Sequence, residues 1–346
     1  MPRYITVLVG CGGRGAMHAR ALQANADRFD LVAVCDVDRD RLMPLAQQYG
    51  IEKTYTDADT MLRVEQPDVL CFATLPAIRL PLIRLGVTHR VKAIAYEKPM
   101  ALSLAEARQI QDMCAAARVQ TIVCHQLKYG AHWQHAWEMV RSGAVGDVHT
   151  IYATARPSVL RVGTHMIDAM LWFNGGHRGA WVLGQVHGRD AYGEDHPCPD
   201  HVSGIIQFRN GVRGVLECGT LAPQLLPDDD FWLDGAVTVY GTHGYVRAGI
   251  GNGWQAVTSA SAGAMLSGPA DLSPQEPRWY SELADWLDDP QQVHPCNGDV
   301  SYHGFEVLMG MGLSSLERRQ VTLPMTTLPS VPILQQLEHV LQKATL

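Results

Sequence analysis

The sequence predicts an α/β chain: a doubly wound parallel sheet over residues 1–124, then an α+β domain over residues 125–346 whose sheet is open and largely antiparallel. Three observations lead there. Short apolar runs alternate with longer helical patterns through residue 124, the texture of parallel strands joined by crossover helices. A glycine-rich turn follows directly on the first of those runs. Beyond Cys124 the strand-like runs lengthen, and Asn210-Gly211, a strong hairpin signal, separates two of them. With 346 residues, 47% of them hydrophobic and 18% charged, the chain has ample material for a buried core in each domain.

In chain order, the expected strands of the first domain are Tyr4 to Val9, Leu31 to Cys35, Val69 to Thr74, Ala93 to Tyr96 and Val119 to Cys124. Each has the length and near-continuous apolar character of a strand covered on both faces. Asp38 is placed to cap a helix that Gly50 ends, and Ser103 with Glu106 has capping-box spacing ahead of Leu104, Ala107, Ile110 and Cys114. In the second domain a helix from about Ala131 to Ser142 stops at Gly143, with Trp133 and Trp137 read as packing residues. Strands follow at about Val148 to Ala155, Trp181 to His187, Val202 to Phe208 and Val212 to Cys218, and Gly241-Thr242-His243-Gly244 reads as a further turn. Helical patterns near Arg278 to Leu287, His303 to Leu316 and Ile333 to Leu341 complete the domain. Ser259 to Glu276, rich in Ala, Ser, Gly and Pro, reads as an exposed loop, and Asp228-Asp229-Asp230 as a solvated turn.

Several function classes are set aside by composition. A net charge of −7 with no long basic run argues against a nucleic-acid partner. No apolar stretch approaches the roughly 18 residues of a membrane span, and Met1-Pro2-Arg3-Tyr4 runs directly into a strand-like segment instead of a signal peptide. A cytoplasmic protein without a membrane partner is expected. The eight cysteines are dispersed with no C-x-x-C pair, so they read as reduced core residues and not as disulfides or a zinc knuckle.

Gly10-Cys11-Gly12-Gly13-Arg14-Gly15 fits G-x-G-x-x-G between the first strand and the first helix, which is the context of a Rossmann dinucleotide site. Gly10 permits the tight turn, Gly12 admits a pyrophosphate to the backbone, and Gly15 lets helix and strand approach. Asp36 ends the second strand 21 residues after Gly15, the place of a ribose-binding acid. That carboxylate favours NAD, since it would repel a 2′-phosphate. Arg39 and Arg41 nearby leave NADP use open. A lysine, Lys98, follows the strand that ends Ala95-Tyr96-Glu97, at the strand end where open α/β sheets bind ligands.

Together with Ala73-Thr74 and Gly163-Thr164-His165-Met166-Ile167-Asp168, these motifs resemble the glucose–fructose oxidoreductase / inositol dehydrogenase / MocA family over nearly the whole chain, including the closing Arg318 to Pro324 stretch. The resemblance implies a Rossmann domain, a second domain whose open sheet mediates a homo-oligomer (dimer or tetramer), and hydride transfer to or from a sugar, cyclitol or related polyol. By position it makes Lys98 and His165 catalytic. Gly10, Gly12, Gly13, Arg14, Gly15, Asp36, Thr74, Glu97 and Lys98 become the expected dinucleotide contacts. Substrate contacts fall to Lys98, His125, Lys128, Arg161, His165 and Asp168. Alcohol oxidation requires loss of the hydroxyl proton as hydride leaves; histidine suits the base and a lysine ammonium suits stabilisation of the oxygen.

One position departs from that pattern: Arg161 stands four residues before His165, where the family commonly has aspartate. An arginine would lower a neighbouring histidine's pKa, and it suits an acidic or phosphorylated substrate group. Two other readings stay open beside the dehydrogenase, a redox-cycling NAD-dependent glycosidase of the same family and a dinucleotide-binding sensor without catalysis. His187, Asp190, Glu194, Asp195, His196, Cys198, Asp200 and His201 form the densest polar cluster, but no recognised metal-ligand spacing appears there. No metal is expected.

Overall fold

A computed structural model of the protein describes residues 3–341. Met1 and Pro2, the first residues of the start read above, and the last five residues of the second expected domain lie outside that range. In order the elements are β1 (Tyr4–Val9), α1 (Gly13–Ala24), β2 (Phe29–Cys35), α2 (Arg39–Tyr49), β3 (Lys53–Tyr55), α3 (Ala58–Glu65), β4 (Val69–Phe72), α4 (Arg79–Thr88), β5 (Ala93–Tyr96), α5 (Leu104–Ala117) and β6 (Gln120–Val123). Next come α6 (Ala131–Arg141), β7 (Val148–Ala155), α7 (Thr164–Phe173), β8 (Gly179–His187), β9 (His201–Phe208), β10 (Arg213–Gly219), β11 (Gly235–Gly241) and β12 (Gly244–Gly249). The chain continues with β13 (Gly253–Val257), β14 (Leu266–Gly268), α8 (Glu276–Asp288), α9 (Gly298–Glu317), β15 (Val321–Thr322) and α10 (Ile333–Val340).

Two compact units result. The first runs through Leu102 and adds Glu106–Gln126 and Pro274–Tyr302; the second holds Ser103–Ala105, Leu127–Ser273 and the chain from His303 onward. The units differ from the expected division at residue 125, because Ser103–Ala105 joins the second unit and Pro274–Tyr302 returns to the first. Its attachment is specific. Tyr4 Oη donates to Asp288 at 2.6 Å, Arg28 bridges Asp285 and Asp288 at 3.0 and 2.8 Å, and Asn25 donates to the Pro277 carbonyl at 2.8 Å. Val123 N–H donates to the Cys296 carbonyl at 3.0 Å, so this segment also closes the free edge of β6.

The sheet of the first unit has the order β3-β2-β1-β4-β5-β6, all parallel. Every residue of β4 and β5 is buried, as their unbroken apolar runs predict. β3 was not visible in that reading: it is three residues of Lys-Thr-Tyr at the sheet edge, too short and polar for the apolar criterion. The strand order reverses between β1 and β4, which makes the carboxyl ends of those strands the place for a ligand. At α2, Asp38 caps as expected, accepting from Asp40 N–H at 2.9 Å. At α5, Glu106 reaches back to Leu102 N–H at 3.1 Å, one residue ahead of the expected cap.

In the second unit nine strands form one sheet, β14-β13-β12-β11-β7-β10-β9-β8-β15, with β7 and β10 parallel and every other neighbour antiparallel. Asn210-Gly211 turns the β9–β10 hairpin, with Gly211 at φ 91°. Helices cover one face, where Trp133 is fully buried and Trp137 stacks on Trp172 at 5.3 Å. Residues on the alternate positions, among them Leu183, Ile205 and Tyr240, remain exposed, which is the open sheet expected. The stretch expected as an irregular loop contains β14, an edge strand paired with β13, so backbone hydrogen bonding overrides its loop-like composition.

Candidate active site

The geometry of the glycine turn suits a dinucleotide. Gly10 has φ +92°, and a Cβ there would stand 2.5 Å from the Ala73 carbonyl oxygen at the strand-order reversal. A Cβ on Gly15 would meet the Gly10 carbonyl at 1.9 Å, so α1 packs against the turn only without a side chain. Gly12 and Gly13 face the opposite condition: added Cβ atoms there would meet nothing within 4 Å, leaving the start of α1 open for a phosphate. Gly12 caps α1 without a side-chain bond, the arrangement of helix N-termini that receive anions. Thr74 Oγ1 is buried with no partner among the described residues, as suits a hydroxyl kept for a ligand.

Asp36, the acid expected at the ribose, also fixes this turn. Its two oxygens accept Cys11 N–H at 2.7 Å and Asp38 N–H at 2.9 Å, tying the glycine loop to the end of β2. The side chain of Arg14 serves carboxylates instead of facing outward: its Nε donates to Glu97 at 2.6 Å and its Nη2 lies 3.2 Å from Glu276. Buried Glu97 also accepts from the ring of His18 at 3.2 Å. Burial alone would raise the Glu97 pKa, but His18, Arg14 and Lys98 hold it well below the usual range, so it remains a carboxylate. His18 is pushed by burial toward the neutral form, and Cys71 and Glu97 reverse this, raising its pKa to about 10. Tyr280 closes the cluster, bonded to His18 Nδ1 at 2.9 Å and to Cys71 at 2.7 Å.

Lys98 stands two residues beyond β5. Burial lowers its pKa, Glu97 opposes that, and the neighbouring guanidinium groups of Arg14 and Arg79 reinforce it. Arg79, itself buried, donates to the carbonyls of Thr74 and Lys98, each at 3.0 Å, and so joins the loop after β4 to the end of β5. His18, Arg79, Glu276 and Tyr280 were missed by the sequence reading. Arg79 carried no signal beyond a charge at the head of an apolar helix, and Glu276 and Tyr280 come from a segment assigned elsewhere. His125, buried at the end of this unit, lies just beyond β6.

The remaining expected residues belong to the second unit. His165 is the second residue of α7 and is buried. Lys128, on a short 3₁₀ turn (Gln126–Tyr129), places Nζ 3.1 and 3.0 Å from the two oxygens of Asp168, and both partners are buried. Asp168 thus holds an ammonium one helical turn beyond His165, a partner the sequence did not suggest. Arg161 lies on a π-helical turn (Val159–Gly163) leading into α7, where it meets Glu194 at 3.1 Å and stacks over Trp232 at 5.4 Å. Two residues of the polar cluster considered for a metal have protein partners: Asp200 accepts Ala191 N–H at 2.7 Å and His201 meets Glu217 at 3.0 Å. One group of potential ligands, His18, Glu97 and Cys124, does converge among the described residues, but Arg14 already supplies its cation.

Residues 5–125 match the family model described as "Oxidoreductase family, NAD-binding Rossmann fold", and residues 155–247 match the GFO/IDH/MocA C-terminal domain, together more than half of the chain. The chain belongs to the GFO/IDH/MocA oxidoreductase family. Among the relatives of this GFO/IDH/MocA protein, D-apiose dehydrogenase of Paraburkholderia graminis is 30% identical over 255 residues, 68% of this chain and 66% of that protein. Myo-inositol 2-dehydrogenase of Thermotoga maritima is 25% identical over 149 residues, 43% and 44% of the two chains. The chain thus spans at most about two thirds of the length of these curated relatives. An Agrobacterium radiobacter oxidoreductase solved with NAD+, L-tartaric acid and magnesium shares the fold at TM-score 0.79 and 18% identity, over 93% of this chain and 98% of its own. The N-terminal unit is therefore the NAD-binding part of a two-part oxidoreductase fold. No helix among the described residues is long and apolar enough to cross a membrane.

Proposed function

We propose that this protein is an NAD-dependent dehydrogenase that interconverts a secondary alcohol and a ketone on a sugar, cyclitol or related polyol. The observation that carries the reading is Lys98: a lysine of lowered pKa at the carboxyl end of β5, in the same sheet whose β1 end carries the glycine turn. Gly10, Gly12, Gly13 and Gly15 with the backbone of Arg14 hold the pyrophosphate, Asp36 the ribose and Thr74 an adjoining polar group. When bound, the nicotinamide supplies the carbon that takes or gives the hydride. Every other task falls to this chain.

In that reading the Lys98 ammonium donates a hydrogen bond to the substrate oxygen and favours the negative charge that grows there. His165 takes the hydroxyl proton in oxidation and returns it in reduction. Glu97 keeps Lys98 charged against burial, and Arg79 fixes its backbone. Asp168 and Lys128 hold the start of α7, which carries His165, as positioning residues. His125 supplies a further substrate contact. Homologous sugar and inositol dehydrogenases support the substrate class.

The test is absorbance of reduced nicotinamide with the purified protein, NAD or NADP, and a panel of aldoses, cyclitols, sugar acids and glycosides. Lys98→Ala should lower turnover by about 10² to 10⁴, the span of a lost proton-handling or charge-stabilising group, with NAD affinity nearly unchanged. A fully active variant would refute the role of Lys98. Silence across the panel despite NAD binding would remove the dehydrogenase reading.

A further inference from the structure

A cleft of about 240 Å³ opens in the second unit, lined by Arg156, Ser158, Arg161, Glu194, Asp200 and Trp232 among others. Its size falls below the roughly 300–1,000 Å³ of pockets for drug-sized ligands, so it suits one small molecule and not a nucleotide-linked sugar. Two guanidinium groups reach it, each laid over an aromatic ring: Arg161 over Trp232 at 5.4 Å and Arg156 over Phe231 at 5.3 Å. Stacking of this kind fixes the plane of a guanidinium and turns its donor edge toward carboxylates: Arg161 meets Glu194 through both Nε and Nη2 at 3.1 Å, and Arg156 donates to Asp228 at 2.7 Å.

The counterions of these arginines are weakly held. Arg161 is only 27% exposed, but its partner Glu194 is 50% exposed; Arg156 is 20% exposed and its partner Asp228 is 81% exposed. Ion pairs to such exposed carboxylates contribute little, so an incoming carboxylate can compete with Glu194 for Arg161. Asp200, buried and anchored by Ala191 N–H, and Glu194 itself then remain as acceptors for hydroxyl groups. A mixed lining of this sort fits one negative charge beside several hydroxyls. The two carboxylates oppose any anion, and they oppose a dianionic phosphate more strongly than a single carboxylate.

We infer that this cleft recognises the carboxylate of a small polyhydroxy acid, with Arg161 as the residue that selects it. The inference deepens the dehydrogenase reading, on which it rests, by naming an acidic sugar as the substrate class. Arg161 precedes His165 by four residues on the turn that enters α7, so an acid gripped there is bound beside the element that carries the proposed base.

The test is calorimetric titration of the full chain, saturated with NAD, with D-gluconate, D-galactonate, D-glucuronate and D-galacturonate, each compared with the neutral aldose of the same configuration. At least one acid should bind about tenfold more tightly than its neutral counterpart, a difference of roughly 1.4 kcal/mol. Arg161→Ala should abolish that preference, Arg161→Lys should recover part of it, and Glu194→Gln should preserve or strengthen it. The inference is overturned if no acid is preferred, or if Arg161→Ala leaves the preference intact. Lys98-dependent oxidation of neutral polyols without any acid preference would remove this inference and leave the dehydrogenase. Arg161-dependent acid binding with no nicotinamide reduction by any compound would do the reverse.

Discussion

Lys128 and Asp168 present two opposite charges taken almost wholly out of water, with the ammonium shared between both carboxylate oxygens at 3.1 and 3.0 Å. Such a pair is a weak source of net stability, because desolvation offsets the attraction, yet breaking one side leaves a buried charge behind. Lys128→Met or Asp168→Leu should each destabilise the protein by about 3–5 kcal/mol, and the double variant by clearly less than the two losses added together. Chemical denaturation of the four proteins measures this, and additive losses would show that the pair does not act as a unit. Arg161 is the contrasting case, a charge near the same helix whose partner is half exposed and replaceable. At this scale the sequence named both lysine and aspartate as site residues but not their bond, because side chains 40 positions apart in the chain share no local pattern.

α1 and β5 meet through His18 and Glu97, and this pairing makes the junction sensitive to pH. His18 has a pKa raised to about 10 in the folded chain, against about 6.5 unfolded, so its contribution is complete below about 6.5 and is lost as pH rises through about 10. Glu97 is shifted downward, so its contribution is present above the unfolded carboxylate pKa of about 4.3 and fades as pH falls below that. The stability that His18→Gln removes should therefore be largest between about pH 4.5 and 6.5 and should shrink toward pH 10. Thermal melts of both proteins across that range test it, and a pH-independent difference would place the effect in packing instead of charge. Elements of this kind were legible where a local rule governs them. Apolar runs located β1, β4 and β5 because both faces are covered, and Asn210-Gly211 located a hairpin because the short connection over residues 209–212 needs positive φ at Gly211. β3 and β14 escaped for the converse reason: each is a three-residue edge strand held by backbone bonds to one neighbour, without an apolar signature.

For the whole molecule, the sequence supplied the two-part architecture and the dinucleotide motif, but it did not show that residues 274–302 return to the first unit. The amphipathic pattern of α8 announces a buried face and says nothing of which surface covers it. That surface is α1 and the adjoining starts of β1 and β2, reached through Glu276, Tyr280, Asp285 and Asp288 from one side and Arg14, His18, Tyr4 and Arg28 from the other. A fragment ending at residue 126 would lose these partners, leave Glu97 and His18 with fewer neighbours, and expose the β6 edge that Cys296 now occupies. It should unfold without a cooperative transition, or aggregate, while the same fragment joined by a flexible linker to residues 274–302 should regain a single sharp melt and bind NAD. If the shorter fragment alone melts sharply and binds NAD as tightly as the full chain, the returning segment is an accessory to the first unit and not part of its core.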